Sequence, residues 1–101
     1  MNKKKLAKIR REIEACRRKQ VKARDLISIA KKLGRQLENR GKEPVFSYSG
    51  PHAPLPLAIP DHGGKDLPVG TKRSILNVLE DDVTYWELML DDELSEARDD
   101  R

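Results

Sequence analysis

Apolar residues recur every three or four positions in the first third of the chain, the spacing of one face of an α-helix. The first stripe predicts a helix over residues 4–18 and consists of Leu6, Ile9, Ile13 and Cys16. The second predicts a helix that ends at Gly34 and consists of Leu26, Ile29, Ala30 and Leu33. We place the break between the helices near Gln20–Lys22. One long helix is the alternative, because residues 1–33 contain neither Gly nor Pro.

The pattern changes to short strands after Gly34. Residues 35–39 form the first predicted strand, and a turn over residues 39–42 separates it from a second strand around Phe46. The third strand is predicted from the alternation of Leu55, Leu57 and Ile59 on one buried face. This strand belongs at the edge of a sheet, since three prolines without a ladder donor interrupt it: Pro54, Pro56 and Pro60.

Helical spacing returns near Thr71, which is a suitable N-cap. The apolar face of this helix is formed by Ile75, Leu76, Val78 and Leu79. The acidic run Glu80–Asp82 predicts an interruption, followed by a last helix through Leu90. We expect the acidic end, residues 91–101, to be frayed or disordered. The order of elements predicts an α+β fold in which helices flank a three-stranded antiparallel sheet.

Charge is distributed unevenly along the 101 residues, which carry a net charge of +4. Residues 1–44 hold 16 Lys and Arg against 5 Asp and Glu, or +11, and residues 45–101 hold 5 against 12, or −7. The basic half fits a polyanion such as nucleic acid. Two solvated faces without a partner are an equally simple explanation.

Several classes of protein are excluded or disfavoured by what the sequence lacks. A single cysteine, Cys16, excludes an intramolecular disulfide framework and a cysteine-rich zinc site. No apolar run approaches the length of a membrane span, and the basic N-terminus lacks the apolar core of a signal peptide. We therefore expect a cytoplasmic, single-domain protein with neither metal nor cofactor.

One segment carries a recognisable motif. It runs from a strand ending in Pro60, through His62, a Gly64-Lys65-x-Leu67 turn and the helix start Gly70-Thr71, to Ser74-Ile75-Leu76. In this order it resembles the HicA toxin family, small ribonucleases of toxin–antitoxin pairs. Weaker similarities at residues 25–34, Arg40-Gly41 and Phe46 extend the resemblance over residues 24–79.

The resemblance implies a fold like that of double-stranded-RNA-binding domains: helix, three-stranded sheet, helix. It also implies an RNA substrate and a HicB-like antitoxin partner. The chain then divides into a basic helical extension (residues 1–22), the HicA-like domain (23–90) and an acidic tail (91–101). A basic N-terminal helix and a separate C-terminal helix are additions to that fold.

The sequence departs from the family at its catalytic histidine. Alignment on Gly41 and Phe46 places Glu43 at that position, and alignment on His52 leaves Phe46 unmatched. An imidazole, with a pKa near 6.5, serves as base and acid near neutral pH, whereas an exposed carboxylate with a pKa near 4.3 is a weak base. We therefore favour Glu43 as a surface residue that pairs with Lys42 or Arg40 over Glu43 as the base.

The other candidates are basic or lie in loops. His62 either contacts phosphate or shapes its turn, and we slightly favour the turn. Thr71, Lys72 and Arg73 stand where a helix N-terminus attracts anions, beside Lys65. We expect this helix start to lie next to the sheet, with Arg35, Arg40 and Lys42 adding to one RNA-binding surface. Four aromatic residues are too few for a base-stacking platform.

Three functions remain open from the sequence. The leading one is a HicA-like toxin that binds RNA and possesses or lacks cleavage activity. The second is a non-catalytic RNA-binding module, and the third is a protein-interaction domain that forms a homo-oligomer. The N-terminal helix serves as an RNA clamp, a partner helix or part of the protein's own core, and we favour the core.

Overall fold

The computed structural model describes residues 1–38, 44–48, 54–60 and 63–99, with side chains through Asp91. The elements are listed in chain order: α1 (Lys3–Arg17), α2 (Ala23–Lys32), β1 (Gln36–Glu38), β2 (Val45–Ser47), β3 (Leu57–Ala58) and α3 (Val69–Asp99). Helices therefore flank an antiparallel sheet, and the predicted α+β class is confirmed. No helix in the described ranges combines the length and apolar character that a membrane span requires.

The sheet has the order β1-β2-β3, and both pairs are antiparallel. Phe46 in the middle strand is paired with Leu37 on one side and Leu57 on the other. β3 lies at the edge, as its prolines predict. The predicted burial of Leu55 is wrong: its side chain is 84% exposed, because β3 begins only at Leu57.

Helices α1 and α2 are separate, so the predicted break is confirmed and the single long helix is wrong. The Asn2 side chain accepts a hydrogen bond from the Lys5 amide at 2.8 Å and starts α1. At the N-terminus of α2, the Asp25 side chain accepts a hydrogen bond from the Lys22 amide at 2.9 Å. Gly34 ends α2 at φ +99°, a conformation that other residues rarely adopt.

The apolar stripe of α1 packs into the protein's own core, as favoured from the sequence. Its four residues are buried with the stripes of α2 and α3 and the inner face of the sheet. Cys16 is one of them, and burial raises the pKa of its thiol. It therefore behaves as a small apolar residue.

The two helices expected after the sheet form one continuous helix, α3. Glu80–Asp82 does not interrupt it, because two of its three carboxylates have partners: Glu80 binds Arg17 at 2.6 Å, and Asp82 binds Arg35 at 2.6 Å. The predicted N-cap at Thr71 is wrong, because α3 begins at Val69. The helical backbone also continues to Asp99, into the segment expected to be frayed.

Arg35 is buried rather than exposed on a basic surface, which corrects the sequence-based expectation. The residue is 2% accessible, and its guanidinium forms two hydrogen bonds to Asp82, through Nε at 2.6 Å and Nη2 at 2.8 Å. Nη1 donates to the carbonyl oxygens of Phe46 at 2.8 Å and Leu55 at 3.1 Å. One side chain thus fixes the end of α2, the sheet and the middle of α3 relative to one another.

Aromatic side chains surround this ion pair. The Tyr48 ring lies 4.8 Å from the Arg35 guanidinium carbon, and its hydroxyl donates to Asp82 at 3.2 Å. Burial, followed by the negative charge of Asp82, raises the pKa of Tyr48. Trp86 donates from Nε1 to the Leu33 carbonyl at 2.7 Å. Both aromatic side chains are therefore engaged in packing within the protein.

We expect Asp82→Asn to lower the free energy of unfolding by about 3 kcal/mol, because it leaves the Arg35 charge buried without a counter-ion. The neighbouring Asp81 is exposed, so Asp81→Asn serves as the control and changes stability by less than about 0.5 kcal/mol. Urea unfolding followed by circular dichroism measures both. Equal midpoints for the two variants would contradict the assignment.

Candidate nucleic-acid interface

Helices α2 and α3 begin side by side at one end of the molecule. An antiparallel bridge joins Lys22 to Asp66, and the Leu67 amide donates to the Val21 carbonyl at 2.8 Å. Leu67 is buried beneath this connection. A helix start leaves amide groups without helical partners and carries the positive end of the helix dipole. Two such starts therefore share one surface, which we call the basic end.

The basic end presents exposed cations from both helices and from the turn between them. Arg24 lies in the first turn of α2, Arg73 in the first two turns of α3, and Lys65 in the preceding turn. No hydrogen bond or ion pair within the described ranges engages these three side chains. They are therefore available to an anion.

The turn that presents Lys65 depends on two glycines. Gly63 and Gly64 have φ values of +66° and +81°, a backbone conformation that is unfavourable for residues with a Cβ atom. Gly64 lines a small depression together with the first turn of α2, including Lys22 and Arg24. Lys65 follows Gly64 directly and precedes the Lys22–Asp66 bridge, so the turn places it near the start of α2.

Two carboxylates moderate the positive charge here. The Asp25 carboxylate accepts a hydrogen bond from the Lys22 amide and so caps the N-terminus of α2. Asp66 is exposed beside Lys65. Four cations, Lys22 included, face these two carboxylates, so the basic end keeps a net positive charge.

Lys72 has a structural contact. Its ammonium donates to the carbonyl oxygens of Arg17 at 3.2 Å and Lys19 at 2.9 Å, where α1 ends. A cation at a helix C-terminus satisfies free carbonyls and complements the dipole. Lys72 therefore ties α1 to α3, and its predicted contact with RNA stays a prediction. Thr71 is half-buried in the first turn of α3.

The start of α3 has different neighbours from those expected. The described contacts place it against the end of α1 and the start of α2. Hydrogen bonds and ring contacts join Tyr48, at the end of β2, to Asp82 and Trp86 of α3, at least nine residues or about 14 Å beyond Arg73 along the helix axis. The sequence did not reveal these contacts, because each joins residues more than 30 positions apart.

Four of the predicted site residues, Arg40, Lys42, Glu43 and His62, lie outside the described residues, and His52 does as well. Their neighbours are paired: the Ile59 amide donates to the Pro44 carbonyl at 3.1 Å. In the described ranges there is no group of three or more His, Cys, Asp or Glu side chains able to hold a metal ion.

Sequence reasoning missed Lys22 and Arg24 as members of the basic end. Both lie at the start of a predicted helix, where anions bind favourably, and this was the available signal. Their proximity to Lys65 follows only from the Lys22–Asp66 bridge.

Comparison with protein families matches residues 23–80 to the model described as the HicA toxin of bacterial toxin-antitoxin. The match begins at the first residue of α2, spans the sheet and ends within α3. Comparisons with curated proteins and with solved structures gave no match. The family match covers more than half of the chain, and its elements follow the fold expected from the motif. The chain therefore belongs to the HicA toxin family of bacterial toxin–antitoxin systems.

Proposed function

We propose that this chain is the toxin of a toxin–antitoxin pair and that it binds RNA by phosphate contacts at the basic end. The observation that carries the proposal is the juxtaposition of two helix starts with the unpaired cations Arg24, Lys65 and Arg73. Backbone amides, dipoles and cations directed to one surface favour phosphate. Such contacts recognise the shape and charge of RNA rather than its sequence.

We expect Arg24→Gln, Lys65→Gln and Arg73→Gln each to reduce the salt dependence of RNA binding. Each lost phosphate contact lowers the magnitude of the slope of log K against log salt by about 0.7–0.9. Filter binding between about 50 and 200 mM salt measures the slope. Lys31→Gln, which removes an exposed cation at the other end of α2, is the control and leaves the slope unchanged.

Lys72→Gln separates folding from binding in the same experiment. We expect it to lower the free energy of unfolding by about 1.5–3 kcal/mol, since it removes the charged donor to the end of α1. Arg73→Gln leaves stability within about 0.5 kcal/mol because its side chain is exposed. A slope that does not change in any of the three basic-end variants argues against phosphate contact there.

Cleavage of RNA is the finer part of the proposal and concerns Glu43 and His62. We expect Glu43→Ala to leave the cleavage rate within about twofold, because an ionised carboxylate is repelled by phosphate and is a weak base. A loss in His62→Ala of about 10²–10⁴-fold assigns the base to His62. The assay follows cleavage of a labelled messenger RNA by purified protein.

Two results of the cleavage assay would change this proposal. A large loss of cleavage in Glu43→Ala contradicts the expectation and identifies Glu43 as the base. RNA binding without any cleavage identifies the alternative function, a non-catalytic RNA-binding module. That alternative is favoured by the glutamate at the position of the family's histidine.

The proposed partner is a HicB-like antitoxin. Family membership implies an antitoxin in general. We expect the product of an adjacent small reading frame to form a stable complex on co-expression and to relieve growth inhibition caused by this chain alone. Co-purification and growth curves measure the two effects. Growth inhibition that the neighbouring product does not relieve would argue against this partner.

A further inference from the structure

The outward face of α1 is a row of cations that the protein itself does not use. The row lies opposite the buried stripe and consists of Lys4, Lys8, Arg11 and Arg18. These positions follow one another at four, three and seven residues, so they share one helix face. No carboxylate belongs to this row, which we call the outer stripe.

Apart from Lys5, the other charged side chains of α1 form ion pairs, in contrast to the outer stripe. Toward α3, Lys3 pairs with Asp91 at 3.0 Å and Arg10 with Glu87 at 2.6 Å. Toward α2, Glu12 pairs with Lys32 at 3.0 Å. The members of the outer stripe have no ion pair or side-chain hydrogen bond within the described ranges.

A shallow groove borders the stripe. Ala7 and Ala15 line it, and Arg11 and Arg18 stand along it. Two carboxylates also line this groove, but Arg17 holds Glu14 at 3.7 Å and Arg10 holds Glu87 at 2.6 Å. Small side chains between free cations allow a backbone phosphate to approach the helix closely.

The outer stripe is continuous with the basic end. Lys72 fixes the carbonyls of Arg17 and Lys19 at the start of α3, so Arg18 lies at the junction of the two surfaces. Arg17, Lys72 and Arg73 also line one depression there. From Arg18 the stripe runs 14 residues back to Lys4, or about 21 Å along the axis.

We infer that the outer stripe is a second phosphate-binding surface, which carries an RNA backbone from the basic end along α1. The inference rests on the proposed RNA binding and extends it to a helix outside the family match. The chemistry favours RNA over an acidic protein. Protein interfaces have an apolar centre and are depleted in Lys, whereas the stripe consists of cations beside a groove that contains two alanines and two carboxylates already paired with arginines.

The test compares wild-type protein with the variant K4Q/K8Q/R11Q/R18Q in binding a labelled 20-base-pair RNA duplex. Four lost contacts lower the magnitude of the slope of log K against log salt by about 3. The ratio of wild-type to variant affinity is therefore about 60-fold larger at 50 mM than at 200 mM salt. K31Q is the single-charge control, and R11Q alone should lower the slope by about 0.7–0.9. All substituted side chains are exposed and Gln favours helix, so melting temperatures should not fall.

The outcomes separate this inference from the proposed function. An unchanged slope in the fourfold variant, with reduced slopes in R24Q and R73Q, overturns the stripe and leaves RNA binding at the basic end intact. Absence of RNA binding by wild type at 50 mM salt overturns both. Salt-sensitive self-association of wild type that the fourfold variant loses, with an unchanged RNA slope, assigns the stripe to contact with a second copy and overturns the inference.

Discussion

The arrangement of the sheet on α3 depends on one buried ion pair. The guanidinium of Arg35 reaches Asp82 and two backbone carbonyls, so its hydrogen bonds join α2, the sheet and α3 at a single point. The strands are two or three residues long, too short to fix their position by ladder bonds alone. A buried ion pair gains little net stability over apolar packing, but its geometry admits few alternatives. We infer that it mainly specifies where the sheet lies.

Helix α1 belongs to the same core although it lies outside the family match. Its stripe fills the space between α2 and α3, and Lys72 binds the carbonyls at its end. Without α1, part of the apolar faces of α2 and α3 would be exposed to water. The predicted boundary at residue 22 therefore marks where the family resemblance begins in the sequence. In the structure, the N-terminal extension and the HicA-like domain share one core.

Local sequence patterns predicted the helices and their ends well. They failed where the structure of a segment depends on a residue far away in the sequence. The two apolar stripes located α1, α2 and the break between them, because helical periodicity is contained within about 15 residues. Glu80–Asp82 was interpreted as an interruption because its partners, Arg17 and Arg35, lie 63 and 47 positions earlier. Arg35 was assigned to the surface for the same reason. Lys65 and Arg73 were identified from their motif, whereas Lys22 and Arg24 join them only through tertiary pairing.

The net charge of the basic half overstates what a polyanion can contact. Arg35 is buried, Lys72 binds backbone carbonyls, and several α1 cations neutralise carboxylates of the same chain. Within the described ranges, most of the cations that remain fall on the basic end and the outer stripe, and Lys5, Lys19 and Lys31 are exposed outside these two surfaces. Binding of RNA therefore follows from where the unpaired charges lie rather than from their sum. A chain with the same composition but with all its cations paired would keep its net charge and lose this surface.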